Sequence, residues 1–266
     1  TEIYTLSLHD ALPIYNTLRS KIIRKQMKNS EKRILKKPRW KRFQLFQFHI
    51  NRFSDTFSQL SLLHEPMIDL LDTAASIPKT SLFLSESEKQ IALNQLKEMS
   101  IFGDYGVIIP GAAWKQKIWN CQGYTEVIKE LESITLHVVL IGSSSDIICN
   151  EFSEINPQVV DLHGKTNLRG TLAFISQATL VIGSDTGFVH GAEALGVPVV
   201  MIMGPTSVET GGGPNLPESI IVEREDLWCR PCSQNGRKPC YRGEQVCMNS
   251  INPGTVKTAV QKVLEV

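Results

Sequence analysis

The chain has 266 residues, 42% hydrophobic and 21% charged, which is enough for one large or two ordinary domains with buried cores. No apolar run approaches the about 18 residues of a membrane-spanning helix, so no segment is expected to cross a bilayer. The net charge of +1 conceals a split: residues 19–42 hold twelve Lys/Arg and one Glu, against 16 basic and 26 acidic residues elsewhere.

The opening fourteen residues, TEIYTLSLHDALPI, follow neither helical nor strand periodicity. They resemble the translation of a sequencing-adapter oligonucleotide, and 1–14 is set apart from the fold as a non-native scar. With no initiator Met, the chain is expected to lack its true N-terminus. A basic helix is predicted near 17–36, followed by a break at Pro38. A second helical stretch is predicted over 43–63, where Phe43, Phe46, Ile50, Phe53 and Phe57 recur at spacings that mark one buried face. The basic stretch reads either as a surface for an anionic partner or as a solvated helix face. Pro66 and Pro78 punctuate a linker-like stretch, and residues 15–84 are taken as one domain.

From residue 85 to 266 the texture is that of a second domain. Ser85 and Glu88 stand in capping-box spacing and open a helix over 86–99. Strands and helices then alternate. YGVIIPGA is a strand and turn, YTEVIKELES a helix, LHVVLIGSSSD a strand and loop, and a short helix follows near 147–154. QVVDLHG, TLVIGSD and PVVMIMGPT are further strands. LRGTLAFISQA and FVHGAEALG are helices between them, the latter stopped by Gly196, and a last helix is entered through Pro253. Short β-branched runs separated by helices predict an α/β fold with a doubly wound parallel sheet covered on both faces.

In such a sheet ligands bind beyond the carboxyl ends of the strands, and four loops gather there. In PGAAWKQKIW, Gly111 permits close backbone approach and Lys117 offers a positive charge to a phosphate; the bland reading is an ordinary turn and a surface lysine. In IGSSSD, Asp146 suits ribose hydroxyls or a helix N-cap equally well. The GKTNL turn, with Thr166, places backbone where it can bond a base edge. The fourth loop, SDTGFVHG, is the most informative. Asp185 ends a strand, Thr186 and Gly187 turn the chain, and a helix over 188–195 starts with its unpaired N–H groups and positive dipole end facing outward, a seat for a diphosphate. His190 lies in the first helical turn, and Asp185 either binds sugar hydroxyls or caps the helix. Gly204 and Thr206, in MGPTSVETGGGP, fold back over the same edge. Neither a dinucleotide fingerprint nor a Walker loop is present.

These loops, in this order, resemble the family-9 glycosyltransferases, typified by ADP-heptose:lipopolysaccharide heptosyltransferases. The stretches that carry the resemblance are IIPGAAWKQKIW, VVLIGSSSD, LHGKTNL, VIGSDTGFVHGAEALGVPVV, MGPTSVETGG and the cysteine-bearing tail. The resemblance covers residues 86–266 well and 15–80 loosely. It implies a GT-B fold with the donor on the C-terminal domain and a remnant of the acceptor domain before it. It also implies an inverting enzyme, cytoplasmic and peripheral at the inner face of the cytoplasmic membrane, that takes a nucleotide-diphosphate sugar as co-substrate. The expected donor is ADP-heptose and the acceptor an anionic lipid A–core; no cofactor, metal or nucleic-acid partner is expected. By position, Gly111, Lys117, Asp185, Thr186, Gly187, His190, Gly204 and Thr206 surround phosphates and donor sugar, Asp146 the ribose, and the Thr166 backbone the adenine. The family's N-terminal Gly-Asp loop, whose carboxylate is the catalytic base, has no counterpart here, so the catalytic residue is unknown and poor turnover is expected. A relative with another donor, an epimerase, or a non-catalytic binding module are the alternatives.

Cys121 and Cys149 are isolated, whereas Cys229, Cys232, Cys240 and Cys247 cluster. Their spacing leaves three readings open: a structural zinc site, reduced packing thiols, or disulfides.

Overall fold

The computed structural model describes residues 12–15, 18–26, 32–70, 77 and 79–265. They divide into two units, Thr1–Lys79 with Glu209–Gly211, and Thr80–Val208 with Gly212–Val266. Among the described residues no helix is long and apolar enough to cross a membrane.

In unit 1, strand β1 (Leu12–Tyr15) is followed by helix α1 (Leu18–Gln26), strand β2 (Lys32–Leu35), and helices α2 (Arg39–Phe48) and α3 (Gln59–His64). β1 and β2 pair in parallel, with Ile14 opposite Ile34. One sequence expectation changes here: the single helix predicted over 17–36 is replaced by α1 and the strand β2, and residues 12–14 of the stretch set apart as scar stand with Tyr15 in β1. Ladder pairing and the burial of Leu35 outweigh the weak helical pattern of the Lys/Arg run.

The buried face predicted across 43–63 also fails, because α2 ends at Phe48, where His49 turns left-handed at φ 55°. The chain then runs irregularly to Ser58, whose Oγ accepts from Ser61 N and caps α3. Phe43 and Ile50 therefore lie exposed, while Leu45 and Phe53 are buried.

Unit 2 opens with α4 (Glu86–Glu98), whose capping box is formed in both directions between Ser85 and Glu88. There follow β3 (Tyr105–Ile109), α5 (Cys121–Ser133), β4 (His137–Leu140), α6 (Ile148–Ile155) and β5 (Val160–Asp161). Next come α7 (Leu168–Ile175), β6 (Leu180–Ser184), α8 (Gly187–Ala194) and β7 (Val199–Met203). The last elements are β8 (Ile220–Glu223), α9 (Val246–Asn249) and α10 (Pro253–Leu264). The six strands form one parallel sheet in the order β5-β4-β3-β6-β7-β8.

β3, β6 and β7 are buried along their whole length. Strand alternation sends their side chains into two cores. Ile108, Ile182 and Ile202 pack with α5 and α10, while Val107, Ile109, Val181 and Met201 pack with α4, α7 and α8. Each such fully buried aliphatic side chain contributes roughly 1.5–3 kcal/mol. The order of the strands reverses between β3 and β6, and the crevice beyond their carboxyl ends is where this architecture receives ligands.

Candidate functional site

A cleft of about 1110 Å³ opens at that crevice, within unit 2. The loop after β3 supplies Gly111, Trp114 and Lys117, the loop after β4 supplies Asp146 and Ile147, and the turn between β6 and α8 supplies Asp185, Thr186 and Gly187. Gly111 is required by its neighbour: a Cβ there would stand 2.2 Å from the Asp146 carboxyl carbon. Asp146 Oδ2 accepts from Ser143 N at 2.6 Å and Ser143 Oγ at 2.9 Å, so this carboxylate ties its own turn and does not cap α6.

Asp185 is the electrostatic centre. Its Oδ2 accepts from Lys117 Nζ at 3.1 Å and its Oδ1 lies 3.0 Å from His190 Nε2. Burial by itself pushes this carboxyl up, but the hydrogen bond from His190 and the charge and hydrogen bond of Lys117 prevail and hold it at about 2. Asp185 is therefore not the cap of α8. The N-cap is Thr186, in extended backbone, and its buried hydroxyl has no partner among the described residues. The N–H groups of the first turn of α8 have no carbonyl ahead of them and carry the positive end of the helix dipole. A Cβ on Gly187 would meet nothing within 4 Å, so this position leaves room for a ligand rather than for packing.

Residues 17–241 match glycosyltransferase family 9 (heptosyltransferase). The chain belongs to that family. It is 34% identical over 131 residues to lipooligosaccharide heptosyltransferase 2 of Haemophilus influenzae, covering 47% of this chain and 36% of the relative. It is 30% identical over 149 residues to lipopolysaccharide heptosyltransferase 2 of Escherichia coli, covering 52% of this chain and 42% of the relative. The matched stretches thus span less than half the length of either curated relative. The solved ADP-heptose lipopolysaccharide heptosyltransferase II of Escherichia coli superposes with a TM-score of 0.59 at 24% identity, over 71% of this chain and 55% of that one. The fold of this family-9 chain is accordingly the GT-B type, with unit 2 as its Rossmann-like sheet domain.

Not every residue that the sequence singled out reaches the cleft of this family-9 chain. Gly111, Lys117, Asp146, Asp185, Thr186 and Gly187 line it; His190, Thr166, Gly204 and Thr206 do not. His190 stands behind Asp185. Thr166 bonds its hydroxyl to that of Thr171 at 2.7 Å. Gly204 and Thr206 offer their carbonyls to Arg230, at 2.9 and 3.3 Å.

Other lining residues were missed. Ile147 and Leu168 stay 75% and 65% exposed and face the cleft from the loops after β4 and β5. Trp114 and Asn235 line its other side, with the Arg237 guanidinium 5.6 Å from the Trp114 ring centre. Between Asn235 and Arg237, Gly236 takes φ +78°, and a Cβ on it would come within 2.5 Å of the Lys117 stem. Isolated apolar residues after loops, and a glycine in a cysteine-rich segment, give no periodic signal.

All six cysteines are free thiols. Burial and the neighbouring Cys232 push Cys247 up to about 11, and burial with the Asp146 charge pushes Cys149 up to about 12, so both are protonated at neutral pH. Among the described residues no three His, Cys, Asp or Glu side chains are gathered to hold a metal ion.

Proposed function

We propose that this chain carries the donor site of an inverting glycosyltransferase. The enzyme moves heptose from ADP-heptose onto the anionic inner core of lipopolysaccharide, at the cytoplasmic face of the inner membrane. The observation that carries the reading is the Lys117–Asp185 pair lining the cleft of a family-9 chain at the start of α8, with His190 behind Asp185.

The two ends of the cleft suit the two ends of such a donor. Ile147 and Leu168 offer an apolar slot for a flat base, with Asp146 beside the ribose. The diphosphate lies over Gly187, with the Thr186 hydroxyl and the first-turn N–H groups of α8 donating to it. Lys117, held by Asp185, faces the same anion. As the glycosidic C–O bond breaks, negative charge grows on the departing diphosphate, and these fixed donors stabilise it without rearranging. Asp185 itself is a poor base: a carboxyl held at about 2 has little affinity for a proton at neutral pH. Removal of the acceptor's hydroxyl proton is therefore assigned to a carboxylate other than Asp185.

Calorimetry with ADP and UDP tests the donor reading. Heat with ADP, reduced about tenfold in affinity by Asp185→Asn, supports it; tighter binding of UDP points to a UDP-sugar relative, and no heat with either overturns it. Transfer from ADP-heptose to lipid A–core, measured separately, tests the acceptor half.

A further inference from the structure

The cleft of unit 2 gathers more positive charge than one diphosphate needs. Lys115 and Lys117 both line it, and the Arg237 guanidinium stands over its wall residue Trp114, 5.6 Å from the ring centre. The two carboxylates among the described lining residues are already engaged, Asp185 with Lys117 and His190, and Asp146 with the Ser143 turn. Lys115 and Arg237 are exposed and have no carboxylate partner among the described residues.

Arg237 is held in place by the turn that carries it. The Ser233 hydroxyl, on a residue only 2% exposed, accepts from Gly236 N at 3.0 Å, and Asn235 Oδ1 accepts from Arg237 N at 3.1 Å. Ser233 N donates to the Pro205 carbonyl at 3.0 Å, which ties this turn to the loop after β7. The turn thereby sets Asn235 in the cleft wall and Arg237 against the Trp114 ring. Cation–π contact restrains a long side chain, so less ordering remains when its planar fork meets a carboxylate or a phosphate.

On the donor reading above, Lys117 and the start of α8 meet the diphosphate, and the base lies on the far side of the cleft, between Ile147 and Leu168. A heptose carries no charge, so the donor leaves Lys115 and Arg237 without a counter-ion. We propose that these two side chains, with Trp114 between them and the base slot, form a second anion subsite in unit 2. It binds a carboxylate or phosphate of the acceptor saccharide beside the sugar being transferred. The inference rests on the donor reading and adds to it a determinant of acceptor choice.

Calorimetry on the 266-residue chain saturated with ADP, titrated with de-acylated lipid A–core saccharide, tests it. Arg237→Ala is expected to lower saccharide affinity about tenfold while ADP affinity moves less than about twofold. Lys115→Ala is expected to lower it three- to tenfold, and Arg237→Lys, which keeps the charge but loses the fork, about threefold. Phosphatase-treated saccharide keeps its carboxylates and carboxyl-reduced saccharide its phosphates; the difference between wild type and Arg237→Ala disappears with whichever group Arg237 holds. Saccharide stripped of both should bind the two proteins alike. Both side chains are exposed, and unchanged far-UV dichroism identifies a local effect. Without ADP heat in the wild type, the donor reading falls and the subsite with it. With ADP heat present, four results would each overturn the subsite alone: no saccharide binding by wild type, full binding by Arg237→Ala, an equal loss of ADP affinity in that variant, or a difference that persists with the neutral saccharide.

Discussion

Lys117 Nζ stands 3.1 Å from Asp185 Oδ2, a contact between the loops after β3 and β6 that joins residues 68 apart in the chain. It closes the sheet's switch point with an ion pair whose side chains are only 12% and 16% exposed. A pair so sheltered leaves a large penalty when one partner is removed.

Asp185→Asn is therefore expected to lower stability by about 2 kcal/mol at neutral pH and nucleotide affinity about tenfold. The pH dependence has a definite sign. The folded carboxyl titrates at about 2, below its ordinary 3.8, so its stabilisation is fully present above pH 3.8 and is lost as pH falls through about 2. Denaturant titrations of wild type and variant should differ by a constant amount from neutral pH down to about 4 and converge below it. A gap that persists undiminished to pH 2 would show that the carboxylate is not held by Lys117 and His190.

Two glycines separate ligand space from packing. Gly187→Ala places a methyl where nothing lies within 4 Å, so stability is expected to move by less than about 0.5 kcal/mol while nucleotide affinity falls at least about tenfold. Gly236→Ala is expected to fail differently. Its φ of +78° disfavours any side chain, and the new Cβ meets the Lys117 stem at 2.5 Å. A loss of about 1–2 kcal/mol in melting experiments should accompany weakened binding. The reverse pattern, an unstable Gly187→Ala with normal affinity, would remove the diphosphate from the start of α8.

What the sequence made legible was chemistry that closes within a few residues. The Ser85–Glu88 box spans three positions, and the strand-to-helix turn through Asp185, Thr186 and Gly187 is as short, so both lie in one window of the chain. The wholly buried β3, β6 and β7 read as unbroken apolar runs. β8 escaped notice because only Val222 of its four residues is buried and acidic residues surround it. The face expected over 43–63 dissolved because His49 breaks the helix between the residues that were meant to share it. The partner of Lys117 lies in the turn after β6, three strands further along the chain, and only the fold identifies it.

The apolar end of the cleft makes its own prediction. Ile147 and Leu168 are largely exposed, so truncating either to Ala removes little buried area and should leave stability within about 0.5 kcal/mol. If a base lies between them, affinity for ADP should drop roughly three- to tenfold while affinity for inorganic pyrophosphate stays the same, since only the former buries apolar area there. Calorimetric titration of both ligands into each variant distinguishes this from a general disturbance of the cleft, which would weaken pyrophosphate as well.

Arg230 marks the boundary between the cleft and its support. Its guanidinium pairs with Glu223 and donates to the carbonyls of Gly204, Arg224 and Thr206, with only 7% of the side chain exposed. Arg230→Met leaves a sheltered carboxylate and three carbonyls without their donor, and is expected to cost about 3 kcal/mol in denaturant unfolding. Thr206→Val should be benign. Its hydroxyl is buried without a partner among the described residues and lies outside the cleft, so the isosteric methyl removes an unsatisfied group and leaves nucleotide affinity unchanged. A tenfold loss of ADP affinity in Thr206→Val, with stability intact, would instead bring the loop after β7 into direct contact with the donor.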